Sequence, residues 1–550
     1  MSGKELGLTS QEDESGSISE KVQLQQQALN DEDINNYLYL EKPWYKYSFF
    51  WLLHFYVFLI TLTSTNLGYD GSMLNGLQSL EDWNKSMGYP TGSILGALSN
   101  GNTFGVLLCF PFASYVSDRF GRKRVIMVGA SLNVIGAVLQ GASYNYAFFL
   151  ISRIILGFGF GISTVSAPSL IAEISYPRYR DTCTAIYNSF YYLGAIMAAW
   201  ITYGTRNISN GYSWKIPSYL QGFLPLVQLL LFFLVPESPR YLLSKGKVDR
   251  ARKILHKFHT GADEDERAHI LIEFEIKQIQ SALEMEKLYS SSRYADFFKI
   301  PSFRKRLFLT SFTAFLMQLS GNGLVSYYLN KVLDSIGITG TKRQLEINGC
   351  LNVYNIVISW AAASVCYRFK RRFMFLTSIS GMLVTYIIWT VLSAINQKRN
   401  FEQTSLANGV LAMIFLYYLC YDFGLNGLPY LYVTEILPYS HRAKGLNIFQ
   451  FCQQAFVVYN GFVNPVAMEN IEWKYYIVYC CILAVELVLV YFFYVETFGH
   501  TLEEVATVFG DDTTAALQAF QQASNEKIAT AHVESNSEHS DNSSKQVLQV

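Results

Sequence analysis

Long apolar runs separated by short polar and charged segments set the pattern of this chain. Twelve runs approach the roughly 20 residues that a helix needs to cross the hydrocarbon core. They are 52–75, 92–116, 124–142, 147–171, 183–204, 217–235, 307–330, 346–366, 373–394, 408–432, 445–466 and 474–495. Several contain Gly and Pro, which spanning helices tolerate because neighbouring helices satisfy the freed backbone groups. The pattern predicts an all-α membrane protein of twelve transmembrane helices. A polar insert, 236–306, separates six runs (49–235) from six (307–496) and is expected to hold short helices. The ends, 1–48 and 497–550, carry nine acidic and four basic groups, and eight and two, respectively. Both are rich in Ser, Gln and Asn and read as disordered tails.

Lys and Arg near the ends of the runs orient the chain. Asp118-Arg-Phe-Gly-Arg-Lys-Arg124, Arg178 and Arg180, Arg368 to Arg372, and Arg442 with Lys444 all fall on one side. That side also receives the insert and both tails, and the positive-inside rule makes it the cytoplasm. The opposite loops hold Lys342, Arg343, Lys398 and Arg399, so the asymmetry is moderate. Asn84-Lys-Ser86 and Asn207-Ile-Ser209 are glycosylation sequons on the expected outer side, and Asn542-Ser-Ser544 is one on the inner side.

Composition narrows the function. Of the 550 residues, 51% are apolar and only 16% charged, against about 25% charged in a soluble domain. Forty-three basic and 43 acidic groups cancel, leaving no basic field to hold nucleic acid. Eight Cys lack the spacing of a zinc or disulfide scaffold. The first residues show no apolar run behind a basic start, so a cleaved secretory signal is not expected. No phosphate-binding Gly loop, metal cluster or nucleophile elbow is found, which argues against an enzyme and against any cofactor.

The charged loops repeat. Ser-Asp118-Arg-Phe-Gly-Arg-Lys-Arg is echoed 249 residues later by Cys-Tyr367-Arg-Phe-Lys-Arg-Arg. Ala-Glu173-Ile-Ser-Tyr-Pro-Arg-Tyr-Arg180 is echoed 262 residues later by Thr-Glu435-Ile-Leu-Pro-Tyr-Ser-His-Arg442, and Pro-Glu237-Ser 259 residues later by Val-Glu496-Thr. Three echoes at nearly one offset imply two pseudo-symmetric six-helix halves. Halves related by an axis along the membrane normal place a binding site between them near the midplane, exposed to alternate sides as they rock.

These loops, with Arg153 and Gly157-Phe-Gly-Phe-Gly161, Pro236-Glu-Ser-Pro-Arg240, Gln318-Leu-Ser-Gly321 with Tyr327-Tyr328, Arg442-Ala-Lys-Gly445 and Val495-Glu-Thr-Phe-Gly499, resemble the sugar porters of the major facilitator superfamily from about 45 to 510. Tyr187-Asn-Ser-Phe-Tyr-Tyr-Leu-Gly194, Ser320-Gly-Asn-Gly-Leu-Val-Ser-Tyr-Tyr-Leu329 and Glu435-Ile-Leu-Pro-Tyr439 are further similar to fungal lactose and cellodextrin permeases. Ser114 stands where the family has Gly, and Tyr367 and Lys370 replace the acid and Gly of the second copy, which points to a looser second-half gate.

Charged groups at the inner ends can pair across helices when that side is shut, and opening inward would break the pairs. The resemblance supports a cytoplasmic gate of Asp118, Arg119, Arg122, Glu173, Arg180, Glu237, Arg240, Glu435, Arg442 and Glu496. Asp70 in the first run and Arg153 in the fourth are ionisable groups inside spanning helices, which are costly unless paired or wet. A carboxylate that alternates between an arginine and a proton is a coupling device. The resemblance implies this role, because proton-driven sugar porters carry Asp and Arg at these positions; the bland alternative is a static ion pair. His54 is a second first-run candidate, or a satisfied interfacial histidine.

Sugars present hydroxyl rims and apolar faces, so their sites combine Asn and Gln with aromatic rings. Carried over position by position, the resemblance assigns Asn188, Gln318, Asn322, Tyr327, Asn355, Tyr430 and Gln453 to the sugar. Met317, Gly323 and Tyr430 replace the family's Gln, Asn and Trp. Each change removes a contact or opens room, so a lactose- or cellobiose-like disaccharide is expected, imported with protons at the plasma membrane. A hexose or polyol porter and a non-transporting sugar receptor are the alternatives. Beyond sugar, protons and the lipid bilayer, the Ser and Lys of the tails suit kinase and ubiquitin machinery as partners.

Overall fold

A computed structural model describes residues 38, 44–263, 265–288, 293–365, 368–401, 403–498, 505 and 509. Nearly all of both expected tails, Tyr367 and the Asn542 sequon lie outside the described residues. The spans are α1 (Ser48–Leu77), α2 (Gly92–Phe120), α3 (Arg122–Gly141), α4 (Tyr146–Ile174), α5 (Arg180–Thr205) and α6 (Tyr212–Leu220 and Phe223–Leu231). They continue with α7 (Pro301–Leu319 and Asn322–Asp334), α8 (Thr341–Val365), α9 (Arg371–Lys398), α10 (Thr404–Gly424 and Leu428–Ile436), α11 (Tyr439–Ile471) and α12 (Tyr475–Phe493). These twelve divide six and six about the polar insert, as the repeated loops imply, and no strand occurs among the described residues. Eight helical stretches are long and apolar enough to cross a membrane, one of them running through α11 and α12. The more polar spans are α5, α7 and α8, which carry Asn188, Gln318, Asn322 and Asn355.

Besides the short interruption of α6 at 221–222, two runs that read as continuous are broken. Gly321 (φ +105°), in the left-handed region, interrupts α7, and α10 stops at Gly424 and restarts at Leu428 with Pro429 in its first turn. A break inside the bilayer frees carbonyls that must find donors within the protein. At α7 they find them: Tyr421 Oη donates to Met317 O (3.0 Å), Asn460 Nδ2 to Gln318 O (2.5 Å), Tyr417 Oη to Ser320 O (3.2 Å) and Tyr386 Oη to Gly321 O (3.3 Å).

Glycine sets the approach of α2 to α4. A Cβ at Gly105 would lie 2.1 Å from Ile154 O, and one at Gly157 would lie 1.9 Å from Asn102 O. Any larger residue would push the helices apart, so these glycines bring Asn102 beside Arg153.

The halves meet along α1–α7, α2–α11 and α5–α8. Amides of the first half donate to backbone carbonyls of the second: Asn75 Nδ2 to Ser326 O (3.4 Å), Gln78 Nε2 to Tyr327 O (3.1 Å) and Asn100 Nδ2 to Val458 O (3.0 Å). Thr341 Oγ1 returns a bond to Ser79 O (3.1 Å). All four lie in the portion of the bundle away from the basic loops. Ring contacts Phe104–Phe462 and Phe110–Phe451 extend the α2–α11 seam towards those loops.

The chain divides into two compact units, and the bundle, apart from the first five residues of α7 (301–305), falls in one of them, 41–264 with 306–499. That unit includes the first part of the polar insert, where Val248–His259 packs against the bundle: the His259 ring sits 3.1 Å from Ile174 O, and Phe258 meets Tyr56 edge-on. In the other unit the described residues form the helix Glu266–Leu288 and the short turn Asp296–Lys299, with Phe297 edge-on to Phe303.

Candidate functional site

Asp70 is 1% exposed and Arg153 2%. Arg153 Nη1 and Nη2 donate to Asp70 Oδ1 and Oδ2 at 3.2 and 3.1 Å, a two-pronged contact. Asn102 Nδ2 donates to Oδ2 at 2.7 Å and Gln221 Nε2 to Oδ1 at 2.8 Å. Gln140 Nε2 lies 3.4 Å from Gln221 Oε1. Four donors, two of them from one guanidinium, therefore converge from α2, α4 and α6 on one carboxylate of α1. This arrangement holds the anion, and any proton arriving on Asp70 must displace donors. The sequence pointed to Asp70 and Arg153 but missed Asn102, Gln221 and Gln140. The available signal was three amides inside apolar runs, which cost free energy there unless bonded. His54, by contrast, has Nδ1 2.6 Å from Phe50 O in its own helix and stacks on Trp44, away from this cluster.

The sugar candidates divide into groups. Asn322 Nδ2 donates to Tyr421 Oη (3.1 Å), its Oδ1 accepts from Ser326 Oγ (2.8 Å), and Ser326 in turn meets Tyr418 Oη (2.9 Å). Tyr430 Oη donates to Gln453 Oε1 at 2.9 Å, so those two candidates are in direct contact. Gln318 is 7% exposed and adjoins the α7 break; Tyr327 is half-buried, its carbonyl held by Gln78. Asn355 is 5% exposed and its Oδ1 has no hydrogen-bond partner, whereas Asn188 is exposed. One helical turn beyond Asn188 and Asn355, Tyr192 and Ser359 meet Asn426, whose Nδ2 lies 2.8 Å from Tyr192 Oη and 3.3 Å from Ser359 Oγ. A groove of about 570 Å³ beside α8 and α10, lined by Arg343, Tyr354, Asn408 and Phe415, contains none of the sugar candidates.

The inner-end charges form two matching networks. In the first half Arg122 pairs with Asp118 (3.0 Å) and Glu173 (3.3 Å), and Ser238 Oγ donates to Glu173. Glu237 Oε1 accepts the Lys123 backbone N–H (3.1 Å), placing an anion at the N-terminus of α3. In the second half Arg371 pairs with Glu435 (3.2 Å) and Thr497 Oγ1 donates to Glu435 (2.5 Å). Glu496 accepts the Arg371 and Arg372 backbone N–H groups (2.9 and 3.1 Å) at the N-terminus of α9. Arg371 thus supplies the second-half pairing that the altered motif left in question. Arg119 donates to Tyr115 Oη (3.2 Å); Arg180 begins α5, Arg240 lies within electrostatic reach of Glu173, and Arg442 sits in the first turn of α11. The Arg122–Glu173 and Arg371–Glu435 pairs each tie helices within one half.

Known proteins match this architecture. The family model described as "Sugar (and other) transporter" matches residues 56–509. Among similar proteins, the MFS-type transporter criB of Aspergillus cristatus is 28% identical over 424 residues, covering 77% of this chain and 85% of its own. The high-affinity glucose transporter of Kluyveromyces lactis is 26% identical over 479 residues, covering 83% and 85%. The xylose transporter XylE from E. coli, in an inward open conformation, superposes with a TM-score of 0.68 at 20% identity over 83% of this chain and 99% of that one. With the spans, the repeated loops and the family match all in register, this chain belongs to the sugar (and other) transporter family of the major facilitator superfamily.

Proposed function

We propose that the protein is a proton-coupled sugar symporter that works by alternating access, with Asp70 as the coupling carboxylate. The observation that carries this reading is the Asp70 cluster: a carboxylate inside a spanning helix, held as an anion by Arg153, Asn102 and Gln221. A proton on Asp70 weakens the arginine pairing and lets α1, α2, α4 and α6 shift relative to one another. Loss of the proton restores the arrangement described above. The basic loops face the cytoplasm and the protein resides in the plasma membrane; the amide-to-carbonyl bonds from Asn75, Gln78 and Asn100 then close the outer side. XylE is a proton:xylose symporter, which accords with coupling.

The sugar lies between the halves, bounded by Gln318, Asn322, Tyr327, Asn355, Tyr430, Gln453 and Asn188. Met317, Gly323 and Tyr430 leave room for a second ring, which favours a disaccharide of the lactose or cellobiose type. A hexose is the second reading, favoured by relatives named as glucose transporters. Kinase and ubiquitin machinery acting on the tails would control the amount at the membrane.

The test is Asp70→Asn in proteoliposomes with an imposed pH gradient. Uphill accumulation of labelled sugar should vanish while counterflow exchange persists; accumulation that remains and is abolished by a protonophore would assign coupling to another residue. Uptake of labelled lactose, cellobiose and glucose by a permease-deficient yeast separates the two substrate readings. Tyr430→Trp should depress disaccharide uptake more than hexose uptake, and equal effects would remove the volume argument.

A further inference from the structure

A second carboxylate lies at the seam between the halves. Asp422, on α10, is 4% exposed. Its Oδ1 accepts from Asn426 Nδ2 (3.0 Å) in the break of α10 and from Tyr192 Oη (3.3 Å) on α5 of the other half. Its Oδ2 is buried with no hydrogen-bond partner. The titratable groups around it are tyrosines and one thiol: Tyr192 from α5, Tyr354 from α8, Tyr418, Tyr421 and Cys420 on α10, with Tyr327 of α7 behind Tyr418 and Tyr386 of α9 against Tyr417. No described Lys, Arg or His forms an ion pair with Asp422.

A carboxylate removed from water without a cation is strongly disfavoured as the anion, and such groups take up a proton instead. Two neutral donors on one oxygen stabilise an anion far less than the guanidinium and two amides around Asp70. The bare Oδ2 is the atom that a proton would occupy. Tyr192 reaches Asp422 only where α5 and α10 come together, so burial of the carboxylate depends on the approach of the two halves.

We propose that Asp422 is a second proton-binding site, occupied while Tyr192 closes over it and open to water when α5 and α10 part. The proton comes from water on the side that opens and returns to it there. The group couples protonation to the meeting of the halves, whereas the Asp70 cluster lies entirely within one half. The proposal rests on the alternating-access reading for its cycle, but the charge state it assigns does not depend on sugar being the cargo.

Infrared difference spectroscopy on the full-length protein in lipid vesicles near neutral pH tests it. The carbonyl band of a protonated, buried carboxyl group should be present in the wild type and in Asp70→Asn, and absent in Asp422→Asn. Glu486→Gln controls for Glu486 of α12, a further buried acid of the bundle whose oxygens lack hydrogen-bond partners. Tyr192→Phe, which removes one donor to the carboxylate, should keep the band and move its loss to higher pH. Identical bands in wild type and Asp422→Asn across the titration, or a Tyr192→Phe titration unchanged from wild type, would overturn the proposal. Failure of Asp70→Asn to abolish accumulation would instead overturn the coupling assignment and leave the Asp422 result standing.

Discussion

Asp70 and Asp422 are carboxylates of nearly equal burial in opposite surroundings. Asp70 sits within one half, both oxygens saturated by a guanidinium and two amides drawn from three other helices. Asp422 sits where the halves meet, with two neutral donors on one oxygen and nothing on the other. Burial alone therefore does not define the state of an acid in this bundle; the donors do. The first arrangement stores a negative charge that a proton must displace. The second leaves a carboxylate whose surroundings change when the helices around it separate.

The contrast is broken most forcefully by removing the cation. Arg153→Met should destabilise the protein by about 3–5 kcal/mol, because it leaves a buried, uncompensated anion. Thermal unfolding of the solubilised protein would register this, and adding Asp70→Asn should recover much of the loss. Should Arg153→Met cost under about 1 kcal/mol, Asp70 would have to be neutral already, and the contrast would disappear. The amides come next: Asn102→Ala and Gln221→Ala should each cost about 1.5–3 kcal/mol as donors to a charged group. Their effects should add to that of Asp422→Asn within about 0.5 kcal/mol, since the two clusters share no partner. Strong non-additivity would show that the halves communicate through these acids in the resting protein.

Sugar affinity tests the residues proposed to bound the sugar. Gln318→Ala and Asn355→Ala should each weaken sugar affinity roughly five- to 150-fold, about 1–3 kcal/mol, with normal surface expression. Unchanged affinity in both would move the sugar elsewhere in the bundle. The smallest effect is expected from Tyr192→Phe, about 0.5–1.5 kcal/mol in stability for one neutral hydrogen bond. A loss comparable to that of Asn102→Ala would mean that Asp422 is charged, erasing the distinction.

Much of the architecture was legible in the residues. Spans show as apolar runs because lipid leaves the backbone no partner outside a helix, and the repeated loops revealed two halves because Glu237 and Glu496 do the same work at equivalent helix N-termini. The breaks in α7 and α10 were hidden, since Gly and Pro also occur in unbroken spans such as α2 and α4. Asp70 and Arg153 stood out as charges in apolar surroundings. Asp422 is the same kind of signal, a charge within the apolar run 408–432. Asn102, Gln221 and Asn460 could not be ranked above other amides without knowing which helices touch.

By itself, then, the sequence determined the number of spans, their grouping into repeated halves, the basic side and the presence of an acid and a base inside the bilayer. All of these follow from one-dimensional patterns: run length, loop charge and residue type. Tertiary structure alone decided which groups meet. Asn102 comes beside the Arg153–Asp70 pair because glycines let α2 and α4 come into backbone contact, and the described inner-end ion pairs stay within a half rather than crossing it. Tyr192, 230 residues from Asp422, closes over it. Hydrogen bonds are made over about 3 Å, and sequence separation carries no information at that range once helices pack side by side.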